Sequence, residues 1–179
     1  MKTFAWFLFL LSVLTAGCTT TERSEGQQLP YFDLSGYIRE IIIDSLSYKV
    51  EKSITINGET ETQKLDRYPL WKDIQNFDAF DINRPALFDK YNIDTTRLND
   101  TLKISCIPRD NKLKVTQMKV AKVDDRVTAI QIQVATRSFL EEVQLDIDWK
   151  PSEGYVLHRQ TEKIFGNPSS QLVQVKILR

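Results

Sequence analysis

Residues 139–164 read FLEEVQLDIDWKPSEGYVLHRQTEKI. Phe139, Val143, Leu145, Ile147 and Trp149 fall on alternate positions, the period of a strand with one buried face. Lys150-Pro151-Ser152-Glu153-Gly154 is rich in turn formers. Tyr155 to Ile164 then reads as the return strand. Centring the turn symmetrically sets Asp146 opposite His158 and predicts an antiparallel hairpin. Glu142, Asp146 and Asp148 share the face opposite Trp149.

The same rhythm continues in both directions. Downstream, Phe165-Gly166-Asn167-Pro168 turns the chain into a strand over Gln171 to Leu178. Upstream, Ile130, Ile132 and Val134 share one face of a strand over Arg126 to Val134, preceded by a tight turn at Asp124-Asp125. In Lys112 to Val123 the apolar parity slips, from Leu113 and Val115 to Met118 and Val120, which marks a bulge. Arg109-Asp110-Asn111 is a turn, and Leu102, Ile104 and Cys106 alternate up to Pro108. Asp94-Thr95-Thr96 reads as turn chemistry. Hairpin after hairpin makes an antiparallel meander with one solvated face.

Nearer the N-terminus, Tyr48, Val50, Ile54 and Ile56 share one face of a strand over Tyr48 to Ile56. Asn57-Gly58 is a strong type I′ turn signal, because both residues tolerate positive φ. The return strand, Glu59 to Leu65, is polar. A two-residue turn sets Ile56 against Glu59 and Ile54 against Glu61. This describes an edge strand guarded against association, or a hairpin offered to a partner through Asn57 and Gly58.

Two segments have helical period. In Tyr31 to Leu46, Leu34, Tyr37, Ile38, Ile41, Ile42 and Leu46 form a stripe behind an Asp33 N-cap, which predicts a helix over 34–46. In Tyr68 to Phe80, Leu70, Trp71, Ile74 and Phe77 form a second stripe, with Pro69 in its first turn. Asn83 can cap a third, short helix carrying Leu87, Phe88 and Tyr91. Phe80 and Phe88 flank the Asp81–Ala86 break and are candidates for an apolar interaction patch. The expected fold is α+β: a curved antiparallel sheet of five to eight strands, covered on one face by two or three helices.

The N-terminus carries an address. Met1-Lys2-Thr3 is a short positive region. Ala5 to Leu14 is a ten-residue apolar run, well below the roughly 20 residues that span a bilayer. This reads as a cleaved export signal over residues 1–17. Leu14-Thr15-Ala16-Gly17-Cys18 resembles the lipobox of bacterial lipoproteins, with Leu14 one place earlier than usual. The resemblance implies an acylated Cys18 as the first mature residue and a membrane partner reached through it. Thr19, rather than aspartate, implies the outer membrane. Residues 18–30 read as a flexible tether, whose span from Thr19 to Leu29 reaches at most about 35–40 Å. Residues 31–179 read as a single domain. Around Asp81-Ile82-Asn83-Arg84-Pro85-Ala86 the chain resembles small uncharacterised lipoproteins of Gram-negative bacteria, a family that brings no known activity.

Composition narrows the chemistry. With 24 basic and 24 acidic residues, the chain lacks the basic surplus of a nucleic-acid binder. His158 is the single histidine, so a paired histidine metal site is excluded. Set beside Asp146 it is either an acid–base pair or an ion pair on a solvated face. Once Cys18 is acylated, Cys106 is the remaining thiol, and its apolar strand pattern predicts a buried, inert side chain. No phosphate loop, HExxH, CxxC or nucleophile elbow occurs. We therefore expect no catalytic residues, no metal and no cofactor. Two functions follow. One is a non-enzymatic envelope lipoprotein that binds another envelope component. The other is a carrier of lipid or lipoproteins, with an apolar cavity between sheet and helices. Outer-membrane acceptors of lipoproteins resemble this outline at the level of fold.

Overall fold

The computed structural model describes residues 29–43 and 47–178. The anchor sequence with Cys18, and the last three positions of the expected 34–46 helix, lie outside the described residues. The order is α1 (Leu34–Ile43), β1 (Tyr48–Ile56), β2 (Glu59–Tyr68), α2 (Trp71–Ile74), 3-10 turns at Gln75–Phe80 and Pro85–Leu87, and then strands only. These are β3 (Tyr91–Leu98), β4 (Thr101–Pro108), β5 (Val115–Val123), β6 (Arg126–Arg137), β7 (Glu141–Lys150), β8 (Gly154–Lys163) and β9 (Ser169–Ile177). All nine strands form one antiparallel sheet in the order β2-β1-β9-β8-β7-β6-β5-β4-β3, open at β2 and β3.

Directly opposed residues share a face, so the register traces the core. One row runs Ile54, Val173, Leu157, Ile147, Ile132, Met118, Cys106, Ile93 and is apolar across eight strands. The next row runs Val175, Tyr155, Trp149, Ile130, Val120, Ile104. On β2 the apolar row ends at Glu61, opposite Ile54, as the Asn57-Gly58 turn predicts. Asn57 and both aspartates of the 124–125 turn have positive φ, the conformation that type I′ turns demand. The predicted bulge in β5 is real. Val115 pairs with Val134 and Met118 with Ile132, so three steps on β5 answer two on β6.

The helical parts meet the sheet through rings. Tyr37 of α1 packs on Trp149 with centroids 5.6 Å apart. Phe77 packs edge-on against Trp149 at 5.9 Å and Tyr155 at 5.5 Å. Asp33 caps α1 by accepting the Gly36 N–H at 2.9 Å. Leu34 and Ile38 are buried, while Ile41 and Ile42 are only half-buried.

Five expectations are corrected. The sheet has nine strands rather than five to eight. The additional strand is β3, where Asp94-Thr95-Thr96 is extended and paired with β4 rather than turning. The second helix is one α turn followed by a 3-10 segment. There the Asn76 side-chain amide donates to the carbonyls of Lys72 and Asp73, competing for acceptors that a continuing helix would use. Asn83 caps no helix. It is buried, accepts the Tyr31 N–H and donates to the Phe32 carbonyl at 2.8 Å, stitching the N-terminal segment to the body. The third helix shrinks to the single 3-10 turn, and Tyr91 opens β3.

Candidate functional site

Three places on the molecule combine side chains in ways that bear on function. The first is a groove of about 750 Å³ between the chain at residues 30–40 and the β3 side of the sheet. Its floor is built from β3 and β4, with Ile93, Ile104 and Cys106 on the inward face. Phe32 and Tyr37 form the opposite wall, and charges of both signs, Lys122 and Arg126 with Asp33, Glu40 and Asp125, also line the groove. The groove is open to solvent, and Ile93 is 49 % exposed within it. It exists because β3 is an edge: no further strand covers the apolar rows there. The Lys122 ammonium lies 5.5 Å from the centre of the Phe32 ring, a cation–π contact across the groove.

The second place is a half-buried polar cluster on the opposite side of the same face. Asp73 of α2 accepts hydrogen bonds at one carboxylate oxygen from Tyr155 at 2.8 Å and Tyr68 at 2.5 Å, and pairs with Lys52 at 3.3 Å. Lys52 also donates to the Tyr68 hydroxyl. Burial works against the Lys52 ammonium, but the bond to Tyr68 and the Asp73 charge outweigh it and raise its pKa. Burial, then the Asp73 carboxylate, push the Tyr155 phenol up. The other three side chains converge on a single Asp73 carboxylate oxygen. They tie α2 to β1, β2 and β8.

The third place is one end of the sheet, where the β6–β7 and β8–β9 turns present large apolar side chains to solvent. Phe139, Leu140, Ile164 and Phe165 are all exposed, and the Ile164 N–H donates to the Leu140 carbonyl across the two turns at 3.0 Å.

The residues singled out from sequence are placed as follows. Asp146 and His158 are opposed, in the register the hairpin predicts. They do not bond each other: Asp146 accepts the Gln133 amide at 2.9 Å, and His158 Nε2 lies 3.2 Å from the Ser170 hydroxyl. No group of three or more metal-ligating side chains occurs among the described residues. Cys106 is buried, and burial pushes its thiol up to about 11, away from the thiolate range of reactive cysteines. Asn57 and Gly58 form the β1–β2 turn. The Asn57 side chain accepts the Ser170 N–H at 3.0 Å and its own N–H donates to the Ser170 carbonyl, which ties the turn to β9. Phe80 is half-buried, with the Lys114 ammonium 5.2 Å from its ring centre. Phe88 is half-buried as well. The structure does not bring Phe80 or Phe88 to the Asn57-Gly58 turn as neighbours in register. Sequence reasoning missed the Lys52–Tyr68–Asp73–Tyr155 cluster and the apolar turns. Phe139, expected on the buried face of its strand, instead precedes β7 in the β6–β7 turn and is exposed, because no strand neighbour lies beside it; Phe165 falls in the turn its Gly-Asn-Pro neighbours predict.

No helix among the described residues is long and apolar enough to cross a membrane. No protein-family model matches the chain, and no curated protein or solved structure shows significant similarity to it.

Proposed function

We propose that this chain is a lipid-anchored lipoprotein of a bacterial outer membrane whose domain binds another envelope component and catalyses no reaction. The anchor reading rests on Leu14-Thr15-Ala16-Gly17-Cys18, with acylated Cys18 as the attachment. The binding reading is carried by one observation, the open 750 Å³ groove beside the free β3 edge. An unpaired edge offers main-chain donors and acceptors, and an apolar floor offers pockets for alternate side chains. Together these suit an extended segment of a partner protein added to β3. In this reading the sheet curves around α1 and the 71–87 segment, which cover its apolar face over β1 and β7–β9 and leave the β3–β4 end uncovered. Half-buried Phe80 and Phe88, and the Asn57-Gly58 turn, remain secondary contact candidates.

A second reading draws on the same groove. Its apolar floor of Ile93, Ile104 and Cys106 suits an acyl chain, which is the carrier alternative. Ile93→Arg separates the two. Ile93 is half exposed, so the substitution leaves folding intact and fills the groove with charge. Photocrosslinking from position 95 in cells should yield one discrete adduct that Ile93→Arg abolishes. A protein that instead carries a stoichiometric lipid on purification, lost in Ile93→Arg, is a carrier. The anchor is tested by Cys18→Ser, which should release the processed protein from membranes or leave the signal uncut. Full membrane retention of a processed Cys18→Ser protein after a high-salt wash would refute it.

A further inference from the structure

The open edge of β3 has a definite register. The Arg109 N–H donates to the Lys90 carbonyl at 2.9 Å, and β3 pairs with β4 without a shift from Tyr91 opposite Pro108 to Leu98 opposite Thr101. In an antiparallel pair each residue turns its N–H and C=O to one side, and the side alternates along the strand. Lys90 faces β4, so Asn92, Asp94, Thr96 and Leu98 do as well. Pro108, which has no N–H to give, stands opposite Tyr91, where the ladder to β3 needs none. Tyr91, Ile93, Thr95 and Arg97 therefore turn their main-chain groups to the open edge.

The first of these positions is taken. The Tyr91 N–H donates to the Tyr31 hydroxyl at 3.1 Å, and the two rings stand edge to face at 5.5 Å. Tyr31 is fixed in turn by the Asn83 side chain, which accepts its N–H at 3.1 Å. A strand added to this edge meets Tyr31 at the start of β3 and ends there. Ile93, Thr95 and Arg97 remain, with one donor and one acceptor each.

The same three residues point their side chains to the inner face. Ile93 continues the row through Cys106 and Met118, and Thr95 the row through Ile104 and Val120. Both line the groove. Arg97 continues a third row, through Leu102 and Lys122, and these three line a smaller cleft of about 220 Å³. Arg97 and Lys122 form no ion pair among the described residues. Asp100, Asp124 and Asp125 also line that cleft, but they sit in the β3–β4 and β5–β6 turns, beyond the end of the row. An added strand thus continues two apolar rows and one basic row. Opposite charges directly across a strand pair stabilise it, and like charges oppose it. Every pair in the sheet is antiparallel, and a strand that keeps this sense runs from Arg97 toward Ile93.

We infer that the partner segment has the five-residue pattern acidic–x–apolar–x–apolar, read from its N-terminus, and adds antiparallel to β3 with its acidic residue opposite Arg97 and its last apolar residue opposite Ile93. The inference deepens the strand-addition reading given above and rests on it. The last apolar side chain packs between Ile93 and the wall of Phe32 and Tyr37. The acidic side chain meets Arg97, with Lys122 further along the same row. The two x residues face outward beside Asp94 and Thr96 and carry no requirement.

The test uses the full-length protein and a fluorescein-labelled, C-terminally amidated peptide, Thr-Glu-Thr-Val-Thr-Ile, with a twin that carries lysine in place of glutamate. Binding is read by fluorescence anisotropy. The native chain should bind the glutamate peptide at least tenfold more tightly than its twin. Arg97 is exposed, so Arg97→Glu leaves the fold intact; it should reverse the preference, and Ile93→Arg should remove binding of both peptides. Reversal together with that loss upholds the register. Equal binding of the two peptides, lost in Ile93→Arg, overturns the register and leaves the strand-addition reading standing. Binding indifferent to Ile93→Arg overturns both. Binding of neither peptide, with the discrete adduct from position 95 still formed in cells, overturns the pattern alone; without that adduct it overturns both. A dimer in solution that Ile93→Arg dissolves would also overturn it and assign the edge to a second copy of the chain.

Discussion

Gly154 opens β8 with φ +120°, and a Cβ there would stand 1.9 Å from the Val175 carbonyl oxygen. The β7–β8 turn can pass this close to β9 only without a side chain. Gly154→Ala should cost on the order of 3 kcal/mol, combining backbone strain with overpacking, read as a lowered denaturation midpoint. An unchanged midpoint would mean that β9 backs away without loss. Titration acts at the same scale. Burial pushes Tyr37 and Tyr91 up to about 12 from an ordinary 10.0, and Cys106 up to about 11 from 9.0. The folded chain therefore keeps protons that the unfolded chain releases first. Their stabilising share is fully present below about pH 9 and is lost as pH rises through 11 and 12. Urea midpoints measured at rising pH should fall over that window, and Tyr37→Phe should flatten the fall. A midpoint constant up to pH 11 would mean that these groups are solvated.

At the scale of elements, α1 is held by a narrower contact than its apolar stripe implies. Leu34 and Ile38 are buried, whereas Ile41 and Ile42 are partly covered and Ile43 is exposed. Ile38→Ala should cost about 2–5 kcal/mol, and Ile43→Ala within about 0.5 kcal/mol, by chemical denaturation. Equal losses at both positions would mean that the helix docks in another rotation. β2 poses a different problem. It is an edge strand exposed along nearly its whole length, and Glu59 and Glu61 stand where the apolar row would continue opposite Ile56 and Ile54. Charges at these positions keep the edge from pairing with another chain. Glu61→Val should produce concentration-dependent oligomers on size-exclusion chromatography. A variant that stays monomeric throughout would show that the remaining polar residues of β2 are guard enough.

Over the whole molecule, the eight-strand apolar row and its neighbour form a continuous core that thins toward β3, where the groove opens. The strands from Thr101 onward, all their turns but the one at Phe139-Leu140, which was read as strand, and the opposition of Asp146 and His158 were legible in sequence. So was the guarded edge at Glu61. Each depends on side-chain alternation and on turns of a few residues, which are properties of adjacent sequence. β3 was not legible, because Asn92 to Leu98 is exposed and a strand with no buried face leaves no period in its residues. Asn83 looked like a cap because local sequence cannot reveal that its partners, Tyr31 and Phe32, lie 52 and 51 residues away. The Tyr155–Asp73 bond spans 82 residues and the Ser170–Asn57 bond 113. The pairing of the Phe139 and Phe165 turns belongs with these. Sequence alone determined which residues alternate and where the chain reverses. Tertiary structure decided which turns meet and which edge stays open, because those depend on contacts between segments that chain connectivity leaves free.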